Sequence, residues 1–129
     1  MNLFVGLDVS SETLEACFLG NQIDQVFLRT RFANDTVGAS QIKNEIIKLN
    51  DENHFKKIMI GMESTSLYSF HPAIFFQNDQ ELKALNVKTV IEDPRRVRKY
   101  VQSYDTDITD YNDAFIIGVY LRIGRGTTS

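Results

Sequence analysis

The chain has little sulfur chemistry to offer: among 129 residues, Cys17 is the only cysteine. A lone thiol cannot close an internal disulfide, so a disulfide-stapled scaffold is excluded and a reducing compartment suits the chain. Histidine is nearly as scarce. His54 and His71 lack the spacing of a metal-ligand pair and are assigned to structure or surface. No apolar run approaches the ~20 residues a membrane helix needs. Met1 leads directly into a strand-like stretch rather than a secretory leader. A soluble, cytoplasmic protein with no membrane partner is expected. Positive charge is not in excess either: 14 Lys and Arg face 17 Asp and Glu, a net charge of −3. No global basic field announces nucleic acid, although the balance would reverse if several acids held metal ions. Internal repeats and low-complexity stretches are absent. What remains, 43% apolar residues over 129 positions, suits one domain, residues 1–129, with its own core.

Hydrophobic periodicity divides the chain. "LFVGLDV" (3–9) is a continuous apolar run ending in an acid, as in a central strand buried on both faces. "TLEACFLG" (13–20) alternates only partly and "DQVFLRTRF" (24–32) more fully, and a short turn joins them, so the first three strands read as an antiparallel meander. Asn34, Asp35 and Thr36 are candidate caps for a helix over roughly 36–50, in which Ile42, Ile46 and Leu49 recur at helical spacing. "FKKIMIGME" (55–63) is a second buried strand ending in an acid. A helix follows, with Pro72 best placed in its first turn and the start near Ser69. "NVKTVIE" (86–92) is a further buried strand. Asp93 then caps a helix with Pro94 at its first position, and a last helix runs from about Asp110 to Ile123. Strands entered through helices are most simply parallel to the first strand. The expected class is α/β: a ribonuclease H-like mixed five-stranded sheet, three antiparallel strands then two parallel, flanked by helices.

Two strands end alike, "GLD" at 6–8 and "GME" at 61–63. Residues two apart on a strand share a face, so each acid stands beside a glycine that leaves open space on that face. If the strands are parallel neighbours, Asp8 and Glu63 emerge ~5 Å apart, where open α/β sheets place their sites. In "TDYNDAF", Asp110 and Asp113 fall on the side of the Ala114, Ile117 and Leu121 stripe, which a solvated acidic face should avoid. Packing that stripe on the sheet would aim both acids inward. Four clustered carboxylates repel one another, and hard divalent cations remove that cost. Two Mg²⁺ or Mn²⁺ ions would balance four acids and could activate a water or hydroxyl against a phosphodiester. Asp105 and Asp107 lie in the same acidic stretch, and helical phase alone does not exclude Asp107 from the group.

Three blocks, "VGLDVSSETLEACFL", "IGMESTSLYSFHPAIFF" and "TDYNDAFIIGVYLRIG", resemble the N-terminal domain of the insertion-sequence-110 family of DEDD transposases, which includes site-specific invertases. They span almost the whole chain in the family's order. The resemblance implies a RuvC-like fold and a tetrad of Asp8, Glu63, Asp110 and Asp113, and it favours Asp110 over Asp107. It implies Mg²⁺- or Mn²⁺-dependent cleavage and joining of DNA during insertion-sequence recombination. The implied partners are DNA (element ends and target), a guide (bridge) RNA and further copies of the same chain. It also implies that the 129 residues are a fragment, since the family carries a second domain. Three positions depart from the family pattern: Ile108 replaces a lysine, Ser66 a glycine, and Asp93-Pro94 an asparagine-proline.

"PRRVRKYV" gives an amphipathic helix whose Arg95, Arg96, Arg98 and Lys99 form a basic face suited to phosphate contacts. Phe115, Val119 and Ile123 form a second apolar stripe on the last helix, expected to meet another domain or subunit. Tyr68 is assigned to packing, and Ser10, Ser64 and Thr65 to turns and caps. Two alternatives compete. An actin-like or sugar-kinase ATPase half shares the sheet, but "DVSSET" lacks the glycines that would let backbone N–H groups reach a phosphate. A non-catalytic nucleic-acid-binding module would need the basic helix and no tetrad.

Overall fold

Alternation within the first strand prepares both faces of a sheet: Leu3, Val5 and Leu7 point one way, and Phe4, Gly6 and Asp8 the other. The computed structural model describes residues 1–22, 25–63, 67–102 and 113–123. Five strands form one sheet: β1 (Asn2–Val9), β2 (Thr13–Leu19), β3 (Val26–Ala33), β4 (Lys57–Glu63) and β5 (Lys88–Glu92), in the order β3-β2-β1-β4-β5. β1–β2 and β2–β3 are antiparallel, whereas β4 and β5 join parallel to β1. The expected mixed sheet is therefore observed.

The helices are α1 (Thr36–Asn53), α2 (Phe70–Asn78), α3 (Gln80–Ala84), α4 (Pro94–Gln102) and α5 (Asp113–Arg122). Of the three candidate caps, Asp35 caps α1, its carboxylate accepting from the Gly38 N–H at 2.7 Å. α3 was not expected from periodicity. It is a short turn started by Asp79, whose carboxylate accepts from the N–H groups of Glu81 and Leu82. Lys43 bridges Asp79 at 3.2 Å and Glu81 at 2.9 Å, tying α1 to this turn.

Two apolar clusters sandwich the sheet. Leu3, Val5, Leu7, Leu14, Phe18, Ile58, Ile60 and Met62 meet Ile42, Ile46, Phe76 and Leu82 on the α1–α3 side. On the other side Phe4, Cys17, Leu19, Met59 and Val90 meet Val97 and α5. Burial there pushes the Cys17 thiol up to about 11, so it is an inert packing group. α5 is buried from Ala114 to Leu121. This corrects the expectation for its second stripe. Phe115 and Val119 are covered within the chain, with the Arg29 guanidinium 5.6 Å from the Phe115 ring centroid, and only Ile123 of the three is exposed.

Candidate active site

The parallel register of β1 and β4 ends at Leu7 opposite Met62, which leaves Asp8 and Glu63 as the next residues on adjacent strands. Both lie on the α5 face, because Gly6 and Gly61, two residues earlier, lie under α5. Both are half-buried.

The role expected for the two glycines needs correction. They do not leave space beside the acids; α5 takes it. A Cβ at Gly6 would run into the Ala114 carbonyl oxygen and the Gly118 backbone nitrogen, and would stand 2.9 Å from the Gly118 Cα. A Cβ at Gly61 would meet the Leu121 side chain at 3.0 Å. The helix backbone thus rests directly on β1, and its first residue, Asp113, precedes the Ala114 that touches Gly6. The start of α5 is held two residues short of Asp8 along the strand. Asp110, with Asp105 and Asp107, lies outside the described residues, as do Ser64, Thr65 and the side chain of Asp113.

The loops leaving the two strand ends are tied together. The Asn34 side-chain amide donates to the Ser10 carbonyl at 2.7 Å and to the Tyr68 carbonyl at 3.2 Å. Asn34 is thus a bridge rather than the cap of α1. The Ser69 hydroxyl donates to the Glu63 carbonyl at 3.0 Å. Ser10 serves its own turn, with its hydroxyl 2.7 Å from that of Thr13. Tyr68 is more than half exposed.

A residue overlooked in the sequence stands beside this pair. Glu92 ends β5 in register with Glu63, and Val90, two residues earlier, packs among the α5 contacts, so Glu92 shares their face. It is 1% exposed, and neither carboxylate oxygen has a hydrogen-bond partner. Burial first, and then the charge of Glu63, raise its carboxyl to about 7. The available signal was a third strand ending in an acid; Val90 in place of a glycine concealed the parallel with Asp8 and Glu63. Glu15 occupies the same face opposite Asp8, but Arg31 engages it, with Nε 3.1 Å from the carboxylate.

Glu92 predicts a pH effect. The folded chain keeps a proton that the unfolded chain releases near pH 4.5. Its stabilising contribution is full below that pH and is lost as pH rises through 7. The difference corresponds to about 3 kcal/mol. In a chelator, Glu92→Gln should therefore gain stability relative to the native chain between pH 5 and pH 8, as read by urea unfolding. Parallel stability curves would show that Glu92 ionises in the fold as it does in water.

These strand ends offer oxygen ligands alone, the donor set of hard divalent cations, and the orphaned Glu92 carboxylate fits such an ion. Among the described residues, no three His, Cys, Asp or Glu side chains are grouped closely enough to hold an ion unaided. Further acids would have to come from the α5 side.

The basic residues are where the sequence suggested. Arg95, Arg96, Arg98 and Lys99 are exposed on α4, Val97 is buried beneath them, and a shallow concavity of ≈ 550 Å³ is lined by those four cations and Asp93. Asp93 caps the helix through the Arg95 N–H at 2.9 Å, and that bond holds its carboxyl below the usual range. Because α4 starts two residues after Glu92, the cationic surface begins at the same end of the sheet as the acids.

No helix among the described residues is long and apolar enough to cross a membrane. No curated protein matches the sequence. Among solved structures, T. thermophilus RuvC in complex with Holliday junction substrate matches with a TM-score of 0.62 over 98% of this chain and 99% of that one. The two are 8% identical, so the likeness is one of fold. The sheet order and the helices that flank it thus follow the RuvC fold. The family profile of the insertion-sequence-110 DEDD transposases, described as Transposase, matches residues 5–129, and the chain belongs to that family.

Proposed function

We propose that residues 1–129 act as one catalytic unit in which Asp8, Glu63, Asp110 and Asp113 hold divalent cations for DNA phosphodiester cleavage and strand transfer. One observation carries the reading. Asp8 and Glu63 close adjacent parallel strands on the face where α5, starting at Asp113, rests on Gly6. Bound Mg²⁺ or Mn²⁺, two ions in this reading, would activate a hydroxyl nucleophile and stabilise the leaving oxygen. Asp8 and Glu63 would orient those ions from the sheet, and Asp110 and Asp113 would do so from the helix start. The Asn34 bridge and the Ser69 hydroxyl would keep the two strand ends at fixed separation. A transposase reading sets aside the actin-like or sugar-kinase alternative and the purely binding one.

DNA is the substrate. The Holliday junction bound by the T. thermophilus neighbour makes branched DNA the first form to test. A guide RNA, self-association and a second domain completing the recombinase belong to the same reading and rest on family membership. The deciding experiment incubates a labelled four-way junction and a linear duplex with the protein in Mn²⁺ or chelator. Cleavage only with metal supports the assignment, and equal cleavage in chelator refutes it.

Arg96, Arg98 and Lys99 would hold the phosphate backbone, whereas Arg95 is partly engaged by Asp93 at 3.3 Å. Replacing those three with alanine should weaken binding of all DNA sequences alike. Each lost phosphate contact should lower the salt slope of log K by about 0.9. Fluorescence anisotropy at several salt concentrations measures this, and an unchanged slope would remove α4 from the interface.

A further inference from the structure

Glu92 is a buried acid without a partner. It is 1% exposed, both carboxylate oxygens lack hydrogen bonds, and β5 seats it in register with Glu63. A buried polar group left unsatisfied is costly, and more so when charged. Native structures keep such a group where an ion, a water or the chemistry answers it. The nearby cations do not answer it. Arg95, Arg96, Arg98 and Lys99 project from α4 as exposed side chains, and the Arg95 guanidinium turns to Asp93.

The strand order supplies the answer. β4 lies between β1 and β5, so Glu63 has Asp8 on one side and Glu92 on the other, all on the face beneath α5. Neighbouring strands are ~4.8 Å apart, a spacing that lets one hard cation reach carboxylates from both. We propose that Glu92 is a fifth carboxylate of the metal centre, ligating a hard divalent cation together with Glu63. This rests on the reading of Asp8 and Glu63 as metal ligands. Glu63, whose strand lies between those of Asp8 and Glu92, would then be the ligand common to both. The cation replaces the missing hydrogen-bond partners of Glu92 and offsets the repulsion between the two glutamates.

The test is Mn²⁺ binding to the full chain without DNA, measured by calorimetry and by the electron paramagnetic resonance signal of free Mn²⁺. Glu92→Gln keeps the shape and removes the charge, and should weaken Mn²⁺ binding by about tenfold or more. Glu92→Asp keeps the charge and should retain part of the affinity, which a merely structural acid would not explain. Asp8→Asn is the reference variant. Weakening in both Asp8→Asn and Glu92→Gln supports the assignment. Weakening in Asp8→Asn alone overturns the role of Glu92 and leaves the metal centre standing. A native chain that takes up no Mn²⁺ overturns both.

Discussion

A transposase carrying Asp8→Asn is expected to lose metal-dependent DNA cleavage, by about a hundredfold or more, while its sheet stays folded. The expectation separates chemistry from folding because of where β1 ends. Leu7 is the last buried residue of that strand, and Asp8 lies beyond it, half-buried, with its backbone paired to Glu15. Asparagine has nearly the same shape and keeps the backbone ladder. What it removes is a negative charge placed beside Glu63 on that face. Added Mn²⁺ should then raise the melting temperature of the native protein more than that of the variant. Cleavage assays on a labelled junction, paired with thermal melts in chelator and in Mn²⁺, read both effects. Undiminished cleavage would remove Asp8 from the site.

Gly6→Ala should be the most damaging small substitution in the sheet. The added methyl meets backbone on α5, at the Ala114 carbonyl and at Gly118, and backbone cannot rotate away as a side chain can. Either the helix lifts or the strand bends, at a cost of about 3 kcal/mol or more. For a domain of this size that is roughly 10 °C in melting temperature. Gly61→Ala is the internal control. Its nearest neighbours are side-chain carbons of Leu121, which can shift, so a loss of about 1 kcal/mol or less is expected. The functional consequence separates the two further. Lifting α5 at Gly6 moves its start, and Asp113 with it, away from Asp8, so Mn²⁺ affinity should fall in Gly6→Ala and persist in Gly61→Ala. Equal melting temperatures for the two variants would contradict the close seating of α5 on β1.

Much of this arrangement was legible in residue order. Continuous apolar runs marked β1, β4 and β5 because strands buried on both faces need apolar side chains on both. Alternation marked β2 and β3, and Asp93-Pro94 announced α4 at its observed start. The acids at 8 and 63 stood out because each ended such a run two residues after a glycine. Other features were hidden for physical reasons. α3 is too short for a helical period to show, and it depends on the Asp79 cap and the Lys43 bridges. Asn34 reads locally as a helix cap, yet its amide joins two loops distant in sequence.

By itself the sequence determined the strand pattern, the strand-end acids and the cationic face of α4, because periodicity and local composition act within a few residues. Only the tertiary structure decided what the glycines are for and which acids are buried. Gly6 reads as open space until the backbone of α5 fills it, and Glu92 reads as an ordinary strand end until its neighbours close over both oxygens. Close approach of backbones and removal of water are properties of surfaces brought together from separate segments, and no short window of sequence contains both surfaces.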